Sequence, residues 1–359
     1  MNDEKRPSIY DLSFDDLRRQ TASWGFTPDE ARAVWRQLYR DAAPAFAAMT
    51  TAPPQLRARL AAAYALDVPQ VLAQTEAPDG GTRKDLLQLA DGEQVEVVLL
   101  RYRRRRIACI STQVGCACGC RFCATGQMGF ARQLTAGEIV AQALHLQRDL
   151  RARDRSLTNL VLMGMGEPLL NYDATIQAVR RLLDPRGLRL PPSRVTLSTV
   201  GIPAGIRRLA EERLHINLAI SLHAATDDVR TRLLPINARH PLDDLFAAVR
   251  AYAEQTGRRV MFEWLLVGGV TDTPAQAEVL VARLAGLDAH VNLIKLNPTA
   301  AYDAAPSTPE ALAAFTAILD RAQIPHTVRQ RRGDEIAAGC GQLRSRQKTH
   351  PCEGCGKSS

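Results

Sequence analysis

The chain has 359 residues, 46% hydrophobic and 23% charged, ordinary globular values that exclude a mostly disordered, collagen-like or coiled-coil protein and, at roughly 150 residues per domain, suggest two domains. No run reaches about 18 uninterrupted apolar residues, and the charged segment from Met1 to Arg6 leads into no apolar stretch, so neither a membrane span nor a secretory leader is expected and the expected compartment is the cytoplasm. Lys and Arg exceed Asp and Glu by 46 to 38, a formal charge of +8 that suits a polyanionic partner; eight cysteines in a reducing compartment point to metal or redox chemistry rather than a disulfide framework.

Thr27-Pro28-Asp29-Glu30 is a capping box with Pro at the first helical position, and Val34, Trp35, Leu38 and Tyr39 then share one face. A second helix starts near Pro54 with Leu56, Leu60 and Tyr64, so residues 1–75 read as a small helical accessory domain. Residues 76–108 read as a β-hairpin extension, with strands at 86–89 and 95–100 around an Asp91-Gly92 turn. Strand patterns at 107–111, 160–163, 194–197, 216–221, 260–267 and 291–296 are each followed by a helical pattern, from Thr135, Tyr172, Pro203, Pro241, Pro274 and Pro309, with a last strand at 326–329. The fold class is therefore α/β, a partial (β/α)6 barrel over residues 109–344, in which functional groups belong at the C-terminal ends of strands. A basic tail, 345–359, follows.

Cys116, Cys120 and Cys123 have the spacing C-x3-C-x2-C in the loop after the first barrel strand. Three thiolates on one short loop can hold a [4Fe-4S] cluster and leave one iron open to a chelating small molecule. The alternative is a structural zinc site with Cys118 as fourth ligand, which would crowd four cysteines into eight residues. In the tail, Cys352, Cys355 and nearby His350 offer too few donors for a metal site and read as solvated. A lone Cys340 between Gly339 and Gly341 suggests a mobile thiol with close backbone approach.

The C-x3-C-x2-C loop before a (β/α)6 pattern resembles the radical S-adenosylmethionine (radical SAM) superfamily. Gln113-Val114-Gly115-Cys116, Phe122-Cys123-Ala124-Thr125-Gly126, Gly164-Met165-Gly166-Glu167-Pro168, Ser221-Leu222-His223 and Gly339-Cys340-Gly341-Gln342-Leu343 are similar to the RlmN/Cfr adenosine methyltransferases over nearly the whole chain. The resemblance implies a [4Fe-4S] cluster on Cys116, Cys120 and Cys123, with Cys118 a spectator. It implies S-adenosylmethionine at Gly166, Glu167, Ser198, Ser221, Leu222, His223 and Asn297, and an electron donor such as flavodoxin. In the implied reaction Cys340 is methylated and its carbon is joined to the base. Glu96 then accepts the proton, and Cys109 attacks the Cys340 sulfur, forming a transient disulfide. Without the resemblance, Cys109 reads as a small buried hydrophobe and Glu96 as a solvent-facing carboxylate.

The implied substrates are 23S rRNA and tRNA, methylated on adenosine carbon 2; Pro168 after Glu167 and Val114 after Gln113 favour this branch over the carbon 8 relatives. A rival of another class is a non-catalytic, zinc-stabilised RNA-binding protein, which leaves Cys109 and Cys340 without a task. Five of the six residues 101–106 are arginine, interrupted by Tyr102; they suit phosphate contact and stacking on unpaired bases, as do Arg329, Arg331 and Arg332 near Cys340. The target base must leave its stack to reach a buried reactive group.

Overall fold

A computed structural model describes residues 6–343 apart from 298, 300 and 330–332. Arg331, Arg332, His350, Cys352 and Cys355 lie outside the described residues. The N-terminal helices are α1 (Phe14–Ser23), α2 (Pro28–Tyr39) and α3 (Pro54–Ala63). As the capping box predicts, the Thr27 hydroxyl accepts from the Glu30 amide while the Glu30 carboxylate accepts from Thr27 N–H at 2.7 Å. Ser13 and Asp16 make a second such box at α1. Trp35, buried, lies 4.3 Å from the Tyr39 ring centroid and meets Phe14 edge-on at 5.6 Å. Beyond α1–α3, Gly137 N–H donates to Asp11 Oδ1 at 2.6 Å, and the Arg181 guanidinium donates to the carbonyls of Asp11 and Leu12. The N-terminal segment is thus pinned to the residues that begin and flank the barrel.

An antiparallel meander follows: β1 (Gln70–Glu76), β2 (Thr82–Gln88) and β3 (Gln94–Arg101), with β4 (Arg106–Cys109) paired antiparallel to β3. From β4 the sheet runs parallel through β7 (Asn159–Leu162), β8 (Val195–Thr199), β9 (Asn217–Ser221), β10 (Val260–Leu266), β11 (Ala289–Lys295) and β12 (His326–Val328). Its ten strands lie in chain order between the edges β1 and β12, so the barrel stays open. A separate ribbon, β5 (Gln113–Gly115) with β6 (Phe130–Gln133), encloses the short helix α4 (Ala124–Gln127). The covering helices are α5 (Ala136–Arg151), α6 (Tyr172–Leu183), α7 (Pro203–Glu211), α8 (Asp227–Leu233), α9 (Leu242–Thr256), α10 (Pro274–Leu284) and α11 (Pro309–Arg321). Leu160, Leu197, Leu218, Ile220, Phe262, Trp264, Val291 and Leu293 fill the core between sheet and helices. Among the described residues no helix is long and apolar enough to cross a membrane.

The expected β-then-α alternation is present, and the differences have local causes. Strand β1 falls inside the stretch read as helical up to residue 75; all its residues are exposed, so it carries no alternation signal and owes its form to pairing with β2. Helix α8 precedes the expected α9 and was not visible, since Asp227–Leu233 is too short for a periodic signal.

Removing the Trp35 ring would leave a cavity between α1 and α2. Trp35→Ala should cost about 3–5 kcal/mol, read as a lower urea midpoint with the slope unchanged.

Candidate active site

Strand β5 ends at Gly115, where φ is +75° and a Cβ would stand 2.1 Å from the Gly129 carbonyl oxygen. Only glycine lets the two strands of the ribbon approach so closely. The Cys116 amide then donates to Gly129 O at 2.7 Å, fixing the root of the cysteine loop. Its far side is tied elsewhere: Arg121 N–H donates to Leu233 O at 2.9 Å, Ala124 N–H to Gly341 O at 2.7 Å, and the Thr125 hydroxyl to Leu343 O at 2.6 Å. Cys116, Cys120 and Cys123 consequently line one cavity with Glu167, Ser198, Ser221, His223 and Cys340. Among the described residues no three His, Cys, Asp or Glu side chains converge as ligands of a single ion. Burial pushes the Cys120 and Cys123 thiols up, while a hydrogen bond from Cys118 holds Cys116 down.

The strand ends supply the opposite side. Gly166 has φ +99°, and a Cβ there would lie 2.5 Å from Gln113 Cβ, so its backbone faces the cavity bare. Glu167 Oε1 accepts from Leu169 N–H at 2.9 Å and Oε2 from Val200 N–H at 2.7 Å, yet burial still pushes its carboxyl up to about 7. A buried acceptor of this kind is poised for a cationic or N–H group. The Ser198 and Ser221 hydroxyls are 3.4 Å apart. His223, in the left-handed region at φ +61°, accepts at Nδ1 from Leu265 N–H at 3.1 Å and meets Phe122 edge-on at 5.0 Å. Burial, then the Arg230 charge, push its pKa down to about 3. Leu222 lies off the cavity wall and acts through its main chain, donating to Glu263 O and accepting from Arg230 Nε.

A second cavity adjoins the first, sharing Met163, Glu263, Ile294 and Cys340. Its wall carries Cys109, Val98, Ile107 and Met261, and its rim Tyr102, Arg105, Arg194, Lys295 and Arg329. Cys340 therefore stands at the junction, within reach of solvent. Burial, then the neighbouring Cys340 sulfur, push the Cys109 thiol up to about 12. Both cysteines are free thiols here, so the expected disulfide is not formed. Asn297 belongs to this second cavity. Its Nδ2 donates to Cys340 O at 3.2 Å, and its buried Oδ1 has no partner among the described residues.

Glu96 lines neither cavity. It is buried rather than solvent-facing, pairs with Lys84 Nζ at 3.0 Å, and shares a face of β3 with Val98, which stands opposite Cys109 in the register. Lys84 also donates to Ala337 O at 3.0 Å, linking Glu96 to the Cys340 segment. The arginine run divides: Arg101 is ion-paired with Glu76 and Arg106 donates to Ser156 O at 2.6 Å, leaving Arg103, Arg104 and Arg105 exposed at the turn, with Arg105 over the Tyr102 ring at 5.1 Å. Sequence reasoning missed Glu263, a carboxylate inside the apolar Phe262-Glu263-Trp264 run whose charge was the available signal. It accepts from Asn292 at 2.9 Å.

Residues 110–279 match the family model of the Radical SAM superfamily. The chain is 48% identical to the dual-specificity RNA methyltransferase RlmN 1 of Myxococcus xanthus, covering 96% of each protein. It is also 48% identical to the probable dual-specificity RNA methyltransferase RlmN 2 of Opitutus terrae, covering 94% of this chain and 86% of that one. The solved structure of a radical SAM methyltransferase from Sphaerobacter thermophilus superposes with a TM-score of 0.91 at 46% identity, over 94% of this chain and 99% of that one.

His223 sets an acid limit on this site. Its folded pKa of about 3 lies below the unfolded 6.5, so the unfolded chain binds the extra proton and stability is lost as pH falls from 6.5 toward 3. At pH 5 the loss from this residue should be about 2 kcal/mol. His223→Asn, which tolerates the left-handed backbone, should flatten the difference between urea unfolding at pH 7 and pH 5.

Proposed function

Because the chain belongs to the RlmN family of dual-specificity RNA methyltransferases, within the radical SAM superfamily, we propose that it methylates carbon 2 of adenosine in 23S rRNA and tRNA through Cys340. It is an S-adenosylmethionine-dependent RNA methyltransferase; the carbon, the substrates and the residue roles are our reading. The observation that carries it is the pair of cavities meeting at Cys340, one lined by Cys116, Cys118, Cys120 and Cys123 and the other by Cys109 beneath an arginine rim. Pro168 after Glu167 and Val114 after Gln113 support carbon 2 over carbon 8.

Cys116, Cys120 and Cys123 hold the [4Fe-4S] cluster. Gly166 offers close backbone approach, Glu167 accepts from the methionyl amino group, Ser198 and Ser221 provide further polar contacts for S-adenosylmethionine in the cysteine cavity, and the Asn297 Oδ1 would reach it only from the neighbouring second cavity. When bound, these groups supply the one-electron chemistry that an electron-poor ring carbon requires. Their electron comes from a low-potential carrier such as flavodoxin in the cytoplasm. Cys340 receives the methyl group and presents its carbon to the base in the second cavity. Glu96, outside the cavity wall but on the face of β3 it shares with the wall residue Val98, is the proton acceptor, and to take the proton from the ring carbon its carboxylate must turn from Lys84 toward the base. Cys109, having lost its S–H proton, then attacks the Cys340 sulfur: an S–S bond forms, the carbon–sulfur bond breaks with its electron pair going to the methylene carbon, and that carbon takes up a proton to become the methyl group of the product.

At the mouth of the second cavity, Arg103, Arg104 and Arg105 hold the RNA backbone, and the Tyr102 ring on its rim offers a stacking surface for an unpaired base.

The test is Cys109→Ala. It should keep iron and accumulate a covalent RNA adduct through Cys340, a shifted band that nuclease digestion collapses; mass spectrometry of RNA from the wild type should place the methyl on carbon 2. Release of methylated RNA at the wild-type rate would overturn the assignment of Cys109. Changing Arg103, Arg104 and Arg105 together to Gln should lower the slope of log affinity against log salt by about 2, at roughly 0.7 per single-strand phosphate contact.

A further inference from the structure

Arg230 is wholly buried, yet no carboxylate pairs with it among the described residues. Its Nε donates to Leu222 O at 3.0 Å, Nη1 to Asn237 Oδ1 at 2.6 Å, and Nη2 to the carbonyls of Val200 and Ser221. Every one of these acceptors is neutral. They orient the guanidinium at the ends of β8 and β9 without a direct ion pair, so its charge is offset in the interior only at a distance, by Asp227 through Asn237 and by the Cys120 side of the loop. Asp227 is turned to other partners, accepting from Asn237 Nδ2 at 2.8 Å and Leu242 N–H at 2.9 Å.

The segment that carries Arg230 packs on the cysteine loop. Leu233 O accepts the Arg121 amide, Leu234 shares the cavity wall with the three cysteines, and Pro235 stands 4.0 Å from where a Gly119 Cβ would be. Burial pulls the guanidinium down only to about 10, and it stays charged at neutral pH; Cys120 is the first group that offsets the fall. Three thiolates around a [4Fe-4S] core of two positive charges make a net anion. The single electron taken from a low-potential donor makes it more negative, with no proton to compensate. Net charge of this kind sets a cluster's potential.

We propose that Arg230 is a built-in counter-cation for the cluster, a positioning residue whose fixed buried charge, facing the Cys120 side of the loop, raises the reduction potential and so eases entry of the electron. The inference rests on the reading that Cys116, Cys120 and Cys123 hold a [4Fe-4S] group.

The experiment compares the full-length wild type, Arg230→Lys and Arg230→Gln after anaerobic reconstitution. Iron and sulfide are measured first, then the midpoint is read from EPR in a dithionite titration without S-adenosylmethionine. Absence of a four-iron cluster in the wild type would remove the underlying reading itself. With the cluster present, Arg230→Gln should hold about one tenth of the reduced form at the wild-type midpoint, a shift of about 59 mV for one electron, whereas Arg230→Lys should stay close to wild type. A merely structural tie predicts instead that Lys and Gln behave alike, since both lose the Asn237 and strand-carbonyl bonds. Equal midpoints in all three proteins, or equal shifts in both variants, overturn the proposal. Should Arg230→Gln fail to retain iron, Asn237→Asp combined with Asp227→Asn takes its place: the exchange keeps one carboxylate in the pair and moves it against Nη1, so it neutralises the guanidinium and must lower the midpoint, and an unchanged value overturns the proposal equally.

Discussion

Two lengths of main chain lie side by side at the centre of the molecule, and the site depends on how closely they approach. Gly164 N–H donates to Ile110 O at 3.0 Å, Thr112 N–H to Met165 O at 2.8 Å, and Glu167 N–H to Gln113 Oε1 at 2.8 Å, while the Ser111 hydroxyl bridges Glu96 O and Met165 N–H. A Cβ at Gly164 would stand 2.7 Å from the Ile110 carbonyl carbon. This contact between the exits of β4 and β7 fixes both where the cysteine loop departs and where Glu167 stands. The same hydrogen bonds therefore set the distance between the thiols of the cysteine loop and the carboxylate that faces them.

The barrel was legible because β9 and β10 bury consecutive residues and read as apolar runs, because β8 alternates cleanly, and because Pro and Thr mark the helix starts that follow. Thr27, Thr135 and Thr273 all accept from an amide three residues on. The cysteine spacing was legible for a different reason: it is a local pattern that no core position would require. What escaped was structure made by pairing rather than by composition. Strand β1 has no buried face, and the β5–β6 ribbon is too short for periodicity. Arg101 and Arg106 look like members of one charged run but point to Glu76 and Ser156. Glu96 follows the alternation of its strand, which cannot reveal that the face opposite the core is itself covered by Lys84 and the Cys340 segment.

Cys340 owes its place to the absence of side chains beside it. A Cβ at Gly339 would fall 2.5 Å from Asn297 Nδ2, and Gly341 has φ +81°, so neither neighbour accepts another residue without displacing the turn. Asn297 thereby serves the thiol segment through Nδ2 and keeps Oδ1 for a ligand. One residue just past the end of the last long strand thus holds the Cys340 segment from the second cavity, while Cys340 itself lines both.

The hydrogen bonds from Ala124 and Thr125 to Gly341 and Leu343 make the cysteine loop and the C-terminal turn one mechanical body, although more than 200 residues of chain separate them (|i−j| = 218 for Thr125 and Leu343). A displacement of the loop is transmitted to the Cys340 sulfur through a lever only a few bonds long. The alignment of the sulfur with whatever occupies the cysteine cavity is then preserved under thermal motion, because both ends of the distance move together.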